Sequence, residues 1–241
     1  MFEGLRIVYG LLLLTSRWLR RQPTWLIQST LSYIGFAVLL YAWGGIEGLK
    51  NVIIALVING MWGTGVNIVA QDVGYYRLMR IQDMLIASPV KPHHYITAIF
   101  LSALAFPVAS ICVIMFIVGY INAWAMLGFS LLVGLPVLLA GVTLGLGIVL
   151  RIEKPVNVSA ITNPVSWLLS ILPPVYYPAW LLPETIRPVA LSLPTSAAAE
   201  LARQFAGLGY SINPLYPIIV LVTWSIVGLL LASKTVRWGL S

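Results

Sequence analysis

Charge is what this chain has least of. Only 9% of its 241 residues are Asp, Glu, Lys or Arg, against about 25% in an ordinary soluble domain. With 60% hydrophobic residues and a mean hydropathy of +0.95, a soluble core is excluded and the chain reads as an integral membrane protein. A single cysteine, Cys112, rules out a disulfide framework. It lies within an apolar run and reads as a small packing residue. No long apolar segment carries an ionisable residue in its central part, although proton- and ion-coupled carriers normally keep such groups despite their cost. The phosphate-binding pattern G-x-x-x-x-G-K-[ST] is absent, so the chain does not bind and hydrolyse ATP in that way itself. His93 and His94 are adjacent, with no cysteine or carboxylate cluster beside them, which argues against a metal site. No Ser/His/Asp or paired-carboxylate arrangement suggests catalysis, so no catalytic residue is nominated.

Apolar runs are what the chain has instead. At about 100° per residue, Glu3, Arg6, Gly10, Arg17, Arg20 and Arg21 share one side of a helix, with Leu13 an exception inside that arc. Leu5, Tyr9, Leu12 and Trp18 lie off it, with Phe2 at its edge. The short apolar run and the missing small-x-small site argue against a signal peptide. Residues 1–22 are expected to form an amphipathic helix in the membrane interface, basic face to the headgroups, ended by Pro23.

Six spans are expected to follow. Residues 25–43 carry no charge, reach about 27 Å at 1.5 Å per residue, and have Trp at both ends, as in an aromatic belt. A turn over 44–50 leads to a second span, 51–70, whose Asn59 and Asn67 read as interhelical hydrogen-bonding residues. The third span covers 96–120 with Pro107 as a kink. The fourth runs from 124 to about 150, with Gly141 and Gly145 spaced for close helix approach. The fifth covers 156–171 and contains Asn163-Pro164, and the sixth covers 215–231. Residues 177–205 are too Pro-rich and polar to span, yet too apolar for an exposed loop. Two short helices, about 183–193 and 195–205, are expected there as an outer re-entrant pair, since such backbone sits at membrane depth only when protein buries it. The expected fold is all-α: one transmembrane domain, residues 1–241, with six spans, an interfacial N-terminal helix and the re-entrant pair before the last span.

Six spans put both termini on one side. On that side fall Arg6, Arg17, Arg20, Arg21, Arg77, Arg80, Lys91, Arg151, Lys154, Lys234 and Arg237; opposite fall Lys50, Arg187 and Arg203. The positive-inside rule then places both termini in the cytoplasm of a multi-pass protein of the cell membrane. The net charge of +7 reflects topology and contact with anionic lipid, and no nucleic-acid partner is expected.

The charged island at 71–97, QDVGYYRLMRIQDMLIASPVKPHHYIT, stands between two apolar runs on the cytoplasmic side. Residues 72–88 can form a helix, with Leu78, Ile81 and Leu85 on one face and Asp72, Tyr76, Arg80 and Asp83 on another. Ser88-Pro89 ends it. Such a helix either acts as a lever under the spans or merely covers the bundle.

The run Asp83-Met-Leu-Ile-Ala-Ser-Pro-Val-Lys-Pro92 resembles the junction between coupling helix and span in the permeases of the ATP-binding-cassette type-2 exporter family. There a Leu-Leu-x-[ST]-Pro-[VL]-x-Pro pattern follows the coupling helix. Pro178-Ala-Trp-Leu-Leu-Pro-Glu-Thr-Ile-Arg-Pro188, Leu193-Pro194 and Glu200-Leu-Ala-Arg203 are similar to that family's outer re-entrant pair. One departure stands out: the family often opens its coupling helix with a Glu-rich, Gly-containing stretch, where this chain has the basic, aromatic Gly74-Tyr-Tyr-Arg-Leu-Met-Arg80.

The resemblance implies a permease without its own engine, paired with a second permease copy (identical or not) and with two cytoplasmic ATPases that carry the ATP and Mg. No cofactor is expected on this chain. Residues 72–88 would be the coupling helix, with Asp72, Tyr76, Arg77, Leu78, Arg80, Ile81, Asp83 and Leu85 as its coupling residues. The passage would run between the two copies, past the first, second and fifth spans, with Tyr33, Tyr41, Asn59, Asn163 and Trp167 as candidates. An uncharged, aromatic-rich wall suits a lipid, a hydrophobic drug or a glycan-linked lipid. An energy-independent channel or secondary carrier is the alternative, and would call for midplane ionisable groups or an internal repeat.

Overall fold

A computed structural model describes residues 2–21, 23–104, 108–208 and 212–235. Every regular element among them is helical. Helix α1 covers Phe2–Arg21, and Pro23 opens α2 (Pro23–Gly63), since a proline ring suits the first helical position, where no N–H is needed. Two helical runs, Thr30–Leu78 and Trp124–Val149, are long and apolar enough to cross a membrane. The Pro107 kink, Met1, Ser241 and Arg237 lie outside the described residues, as do the side chains of Arg17, Trp18, Arg20, Arg21, Trp25 and Lys234.

The first of those runs is not one rod. Gly45 takes φ 55° and ψ −133°, which breaks the helix and is accessible at low cost to glycine alone. A Cβ on Gly48 would land on the Leu40 carbonyl oxygen. Eight residues of straight helix separate such groups by about 12 Å, so the chain doubles back at Gly45. The turn expected over 44–50 is thus a reversal at one residue, and Glu47 and Lys50 are already helical, joined by a 2.8 Å ion pair.

The returning limb, residues 46–63, is the axis of the molecule. Val52, Ile53, Ile54, Ala55, Leu56 and Ile58 are buried in succession, as befits a helix apolar on every side. It continues through a π-helical turn, Thr64–Val69, into α3 (Ala70–Leu78). Helix α7 (Trp124–Val149) packs against this limb through glycines. A Cβ on Gly65 would sit 2.6 Å from the Val142 nitrogen, and one on Gly145 would sit 2.7 Å from the Gly65 carbonyl oxygen. The backbones touch because neither side has a side chain in the way, which is how apolar helices gain dispersion energy where solvent gives none.

Other elements differ from expectation in extent. The stretch expected as one helix over 72–88 is two: α3 and α4 (Ile81–Ile86), broken at Met79-Arg80. The third run is α5 (Pro92–Ala103), lying against α1, and α6 (Val108–Ile121), lying against α2. The fifth run is α8 (Val158–Ile171), of 14 residues with Pro164 inside. Of the outer pair, α9 (Arg187–Leu191) is shorter than expected, whereas α10 (Pro194–Phe205) nearly matches. Both are far too short to cross about 30 Å of hydrocarbon. The last is α11 (Leu215–Thr235), packed on α7.

Helix α10 is tucked against α2, α7 and α11. Its Ala197, Ala198, Ala199 and Ala202 allow close approach, and its two charges are fully buried. Arg203 donates to Asn51 Oδ1 at 2.7 Å, to the Pro174 carbonyl at 3.0 Å, to the Val175 carbonyl, and to Glu200 Oε2 at 3.2 Å. Glu200 Oε2 also accepts the Ala179 N–H at 3.2 Å. Burial pulls the guanidinium below its ordinary pKa, with the Glu200 carboxylate working against that. This pair pins the outer segment to the start of the core limb.

Candidate functional site

The coupling candidates divide by environment, and not as helix periodicity alone divides them. Helix α3 leaves the bundle as a continuation of the core limb. Tyr76 is buried and Asp72 half-buried, whereas Arg80 and Asp83, placed on the same face with them, are exposed. Arg77, half-buried, donates to the Val149 and Ile152 carbonyls at 2.5 and 3.0 Å. It thereby caps the C-terminal end of α7, where helix carbonyls lack partners and a cation is favoured. Leu78, placed on one face with Ile81 and Leu85, is exposed. Ile81 and Leu85 are half-buried, and Leu85 packs on the core.

The reason is the turn between the two helices. Arg80 adopts φ 57°, ψ 18°, a left-handed conformation that non-glycine residues seldom take. It rotates α4 relative to α3, so one periodicity no longer covers both. Tyr75 and Leu78 on α3, Met79 at the turn and Met84 on α4 are all exposed, Met84 to 64%. Exposed Arg80 and Asp83 lie among these residues in the chain. Past it, the Ser88 hydroxyl donates to the Leu85 carbonyl at 2.6 Å and closes α4. Pro92 opens α5, where His94 Nδ1 accepts the Lys91 N–H at 3.4 Å.

The passage candidates do not form one group. Tyr33 is half-buried near Tyr176, which stacks on Phe36 with ring centroids 5.0 Å apart. Asn59 lies against the same Tyr176 hydroxyl. Asn163 belongs to a second cluster one level away: Gln71 Nε2 donates to Asn67 Oδ1 at 2.5 Å and to Asn163 Oδ1 at 3.4 Å, and Thr162 Oγ1 donates to Asn67 Oδ1 at 2.9 Å. Asn59 is on the core limb of α2, Asn67 on its π-helical continuation and Gln71 on α3, all three of which pack on α8. Tyr41 stands apart, in an apolar cleft of about 600 Å³ between α2 and α6 that also takes in Cys112 and Tyr120. Trp167 is 61% exposed on α8.

Gln71, Thr162 and Tyr176 were not among the candidates. For Gln71 a signal existed: Asn59, Gly63, Asn67 and Gln71 recur every four residues. Among the described residues, no three of His, Cys, Asp and Glu converge as a metal ion would require. What these groups can do chemically is donate and accept neutral hydrogen bonds. No protein-family model matches the chain, and a search of characterised proteins finds no match.

Proposed function

We propose that this chain is the membrane subunit of an ATP-driven exporter. In this reading six spans cross the cell membrane with both termini cytoplasmic, and α1 lies in the interface. Two copies, or this chain and a related one, enclose the passage. Two cytoplasmic ATPases bring the ATP and Mg, and the cargo is hydrophobic or amphipathic.

The observation that supports it is the projecting pair α3–α4. Tyr75, Leu78, Met79 and Met84 expose apolar surface beside Arg80 and Asp83, at the cytoplasmic end in the proposed topology. Exposed large apolar groups with charges around them are the composition of a protein-binding patch. The same pair is wired to the bundle from behind: α3 continues the core limb, and Arg77 grips the end of α7. A push on the patch therefore reaches two long helices without passing through a flexible loop, which is what an engine outside the membrane needs.

The test is recruitment of the ATPase from native membranes, scored against the amount of permease inserted. Met84→Asp should cut co-purified ATPase about tenfold or more, since one buried Met contributes about 1.5–3 kcal/mol. Arg80→Glu should weaken recruitment more mildly and in a salt-dependent way. Leu85→Asp, which places a charge against the core, should lower the inserted amount itself. Normal recruitment and transport by both Met84→Asp and Arg80→Glu would mean that the patch is only a covering and the engine docks elsewhere.

A further inference from the structure

The face that α2 turns towards α8 carries more hydrogen-bonding capacity than helix packing uses. Asn59, Gly63, Asn67 and Gln71 are spaced by four. Four residues of α-helix overshoot a full turn by about 40°, so such a stripe drifts off its face. The wider π-helical turn Thr64–Val69 falls short of a full turn over the same count and brings the stripe back. Across from it, Ser166 Oγ would lie 3.6 Å from a Cβ on Gly63. The oxygens of Asn67 and Asn163 accept the bonds described above. Among the described residues, no bond engages Asn67 Nδ2, Asn163 Nδ2 or Gln71 Oε1.

Asn59 is the sharper case. Both polar atoms of its carboxamide are buried, and neither makes a hydrogen bond of full geometry among the described residues. An unbonded buried carboxamide destabilises a fold, and an apolar residue of like shape would not. The Tyr176 hydroxyl beside it can answer only one of the carboxamide's two polar groups, which leaves capacity that packing does not use and a ligand can. The Phe36–Tyr176 ring pair beside it is an apolar wall carrying one hydroxyl.

We infer that this α2–α8 stripe recognises a neutral, hydroxyl-rich head group on an amphipathic cargo, through Asn59, Asn67, Gln71 and Asn163. Hydroxyls donate and accept at once, and carboxamides answer both needs. No residue of the stripe is charged, so an anionic or cationic head would lose its hydration with no counter-charge to replace it. The inference rests on the exporter reading and names the cargo's head-group chemistry within it.

The experiment needs no ATPase, so its outcome is separate from that of the recruitment test. The purified full chain is reconstituted in nanodiscs of phosphatidylcholine, phosphatidylglycerol and monoglucosyl-diacylglycerol with matched acyl chains. The lipid that stays with the protein on extraction is then quantified by mass spectrometry. The glucolipid should be retained several-fold above its bulk share. Asn59→Leu and Gln71→Leu should each cut that enrichment about threefold to tenfold, the range of one neutral hydrogen bond. Asn59→Leu should meanwhile melt close to the wild type, since the fold loses at most its contact with the Tyr176 hydroxyl. No glucolipid enrichment, preferential retention of phosphatidylglycerol, or enrichment unchanged in Asn59→Leu would each overturn the inference, even if the ATPase is recruited normally.

Discussion

Arg203→Met takes away a guanidinium that four acceptors share: Glu200 Oε2, Asn51 Oδ1 and the carbonyls of Pro174 and Val175. Both charged residues are 0% exposed, so water cannot replace the lost bonds without opening the outer segment. Breaking a buried pair from one side costs about 3–5 kcal/mol. Three neutral acceptors left over add about 1 kcal/mol each at the low end, part of it recovered as the segment relaxes. The expected loss is about 5 kcal/mol. At about 2–4 °C per kcal/mol for a chain of this size, the melting temperature in mild detergent should fall by about 10–20 °C. Arg203→Lys keeps the charge but not the fork and should fall between the two. The double change Glu200→Gln with Arg203→Met removes both charges and should recover about half of the loss. A single Met variant that melts within about 3 °C of the wild type would refute the reasoning. A double variant no better than the single would refute it too, because the cost would then not be that of a stranded carboxylate.

Four further expectations follow from the geometry. Gly65→Ala places a Cβ 2.6 Å from the α7 backbone and should cost about 3 kcal/mol by overpacking, whereas Gly128→Ala, which meets nothing within 4 Å, should be neutral or stabilising in the same melt. Gly45→Ala should cost about 1–3 kcal/mol for its backbone conformation and Gly44→Ala should not; equal melting of the two would argue against the reversal. Arg77→Leu leaves two carbonyls at the end of α7 unbonded and should raise hydrogen exchange at 146–152 more than at 124–140. In a Cys112→Ser background, cysteine at exposed Glu184 should react quickly with an impermeant maleimide, while cysteine at fully buried Ala198 should resist it until the protein is unfolded.

Much of this architecture is legible residue by residue. Proline marks helix starts at Pro23, Pro92 and Pro194 because it needs no hydrogen-bond partner there, and the uninterrupted apolar run before Arg151 yields α7 almost to its ends. Gly141 and Gly145 advertise the close approach, although their counterpart Gly65 has no motif of its own. A turn over 44–50 is legible, but its confinement to Gly45 is hidden by Glu47 and Lys50, whose charges suggest a loop but which are helical and paired with each other. The split of 72–88 was invisible because Arg80 is not a residue that announces a left-handed turn. Once the turn exists, Leu78 no longer shares an environment with Ile81 and Leu85, nor Tyr76 with Arg80 and Asp83. The polar clusters are the least legible part. Thr162 meets Asn67 across 95 residues of chain, and such a contact is set by how whole helices pack rather than by any local pattern.

The reversal at Gly45 has a practical consequence for anyone who wishes to alter this protein. Two long helical limbs are joined by a single residue's torsion angles, with the Gly48 position pressed on the Leu40 carbonyl. There is no slack to donate. An epitope or fluorescent tag inserted at 44–46 replaces those torsion angles with a longer connection and loosens the Gly48–Leu40 approach that closes the reversal. A graft that takes one limb without the other loses the residue that sets their pairing.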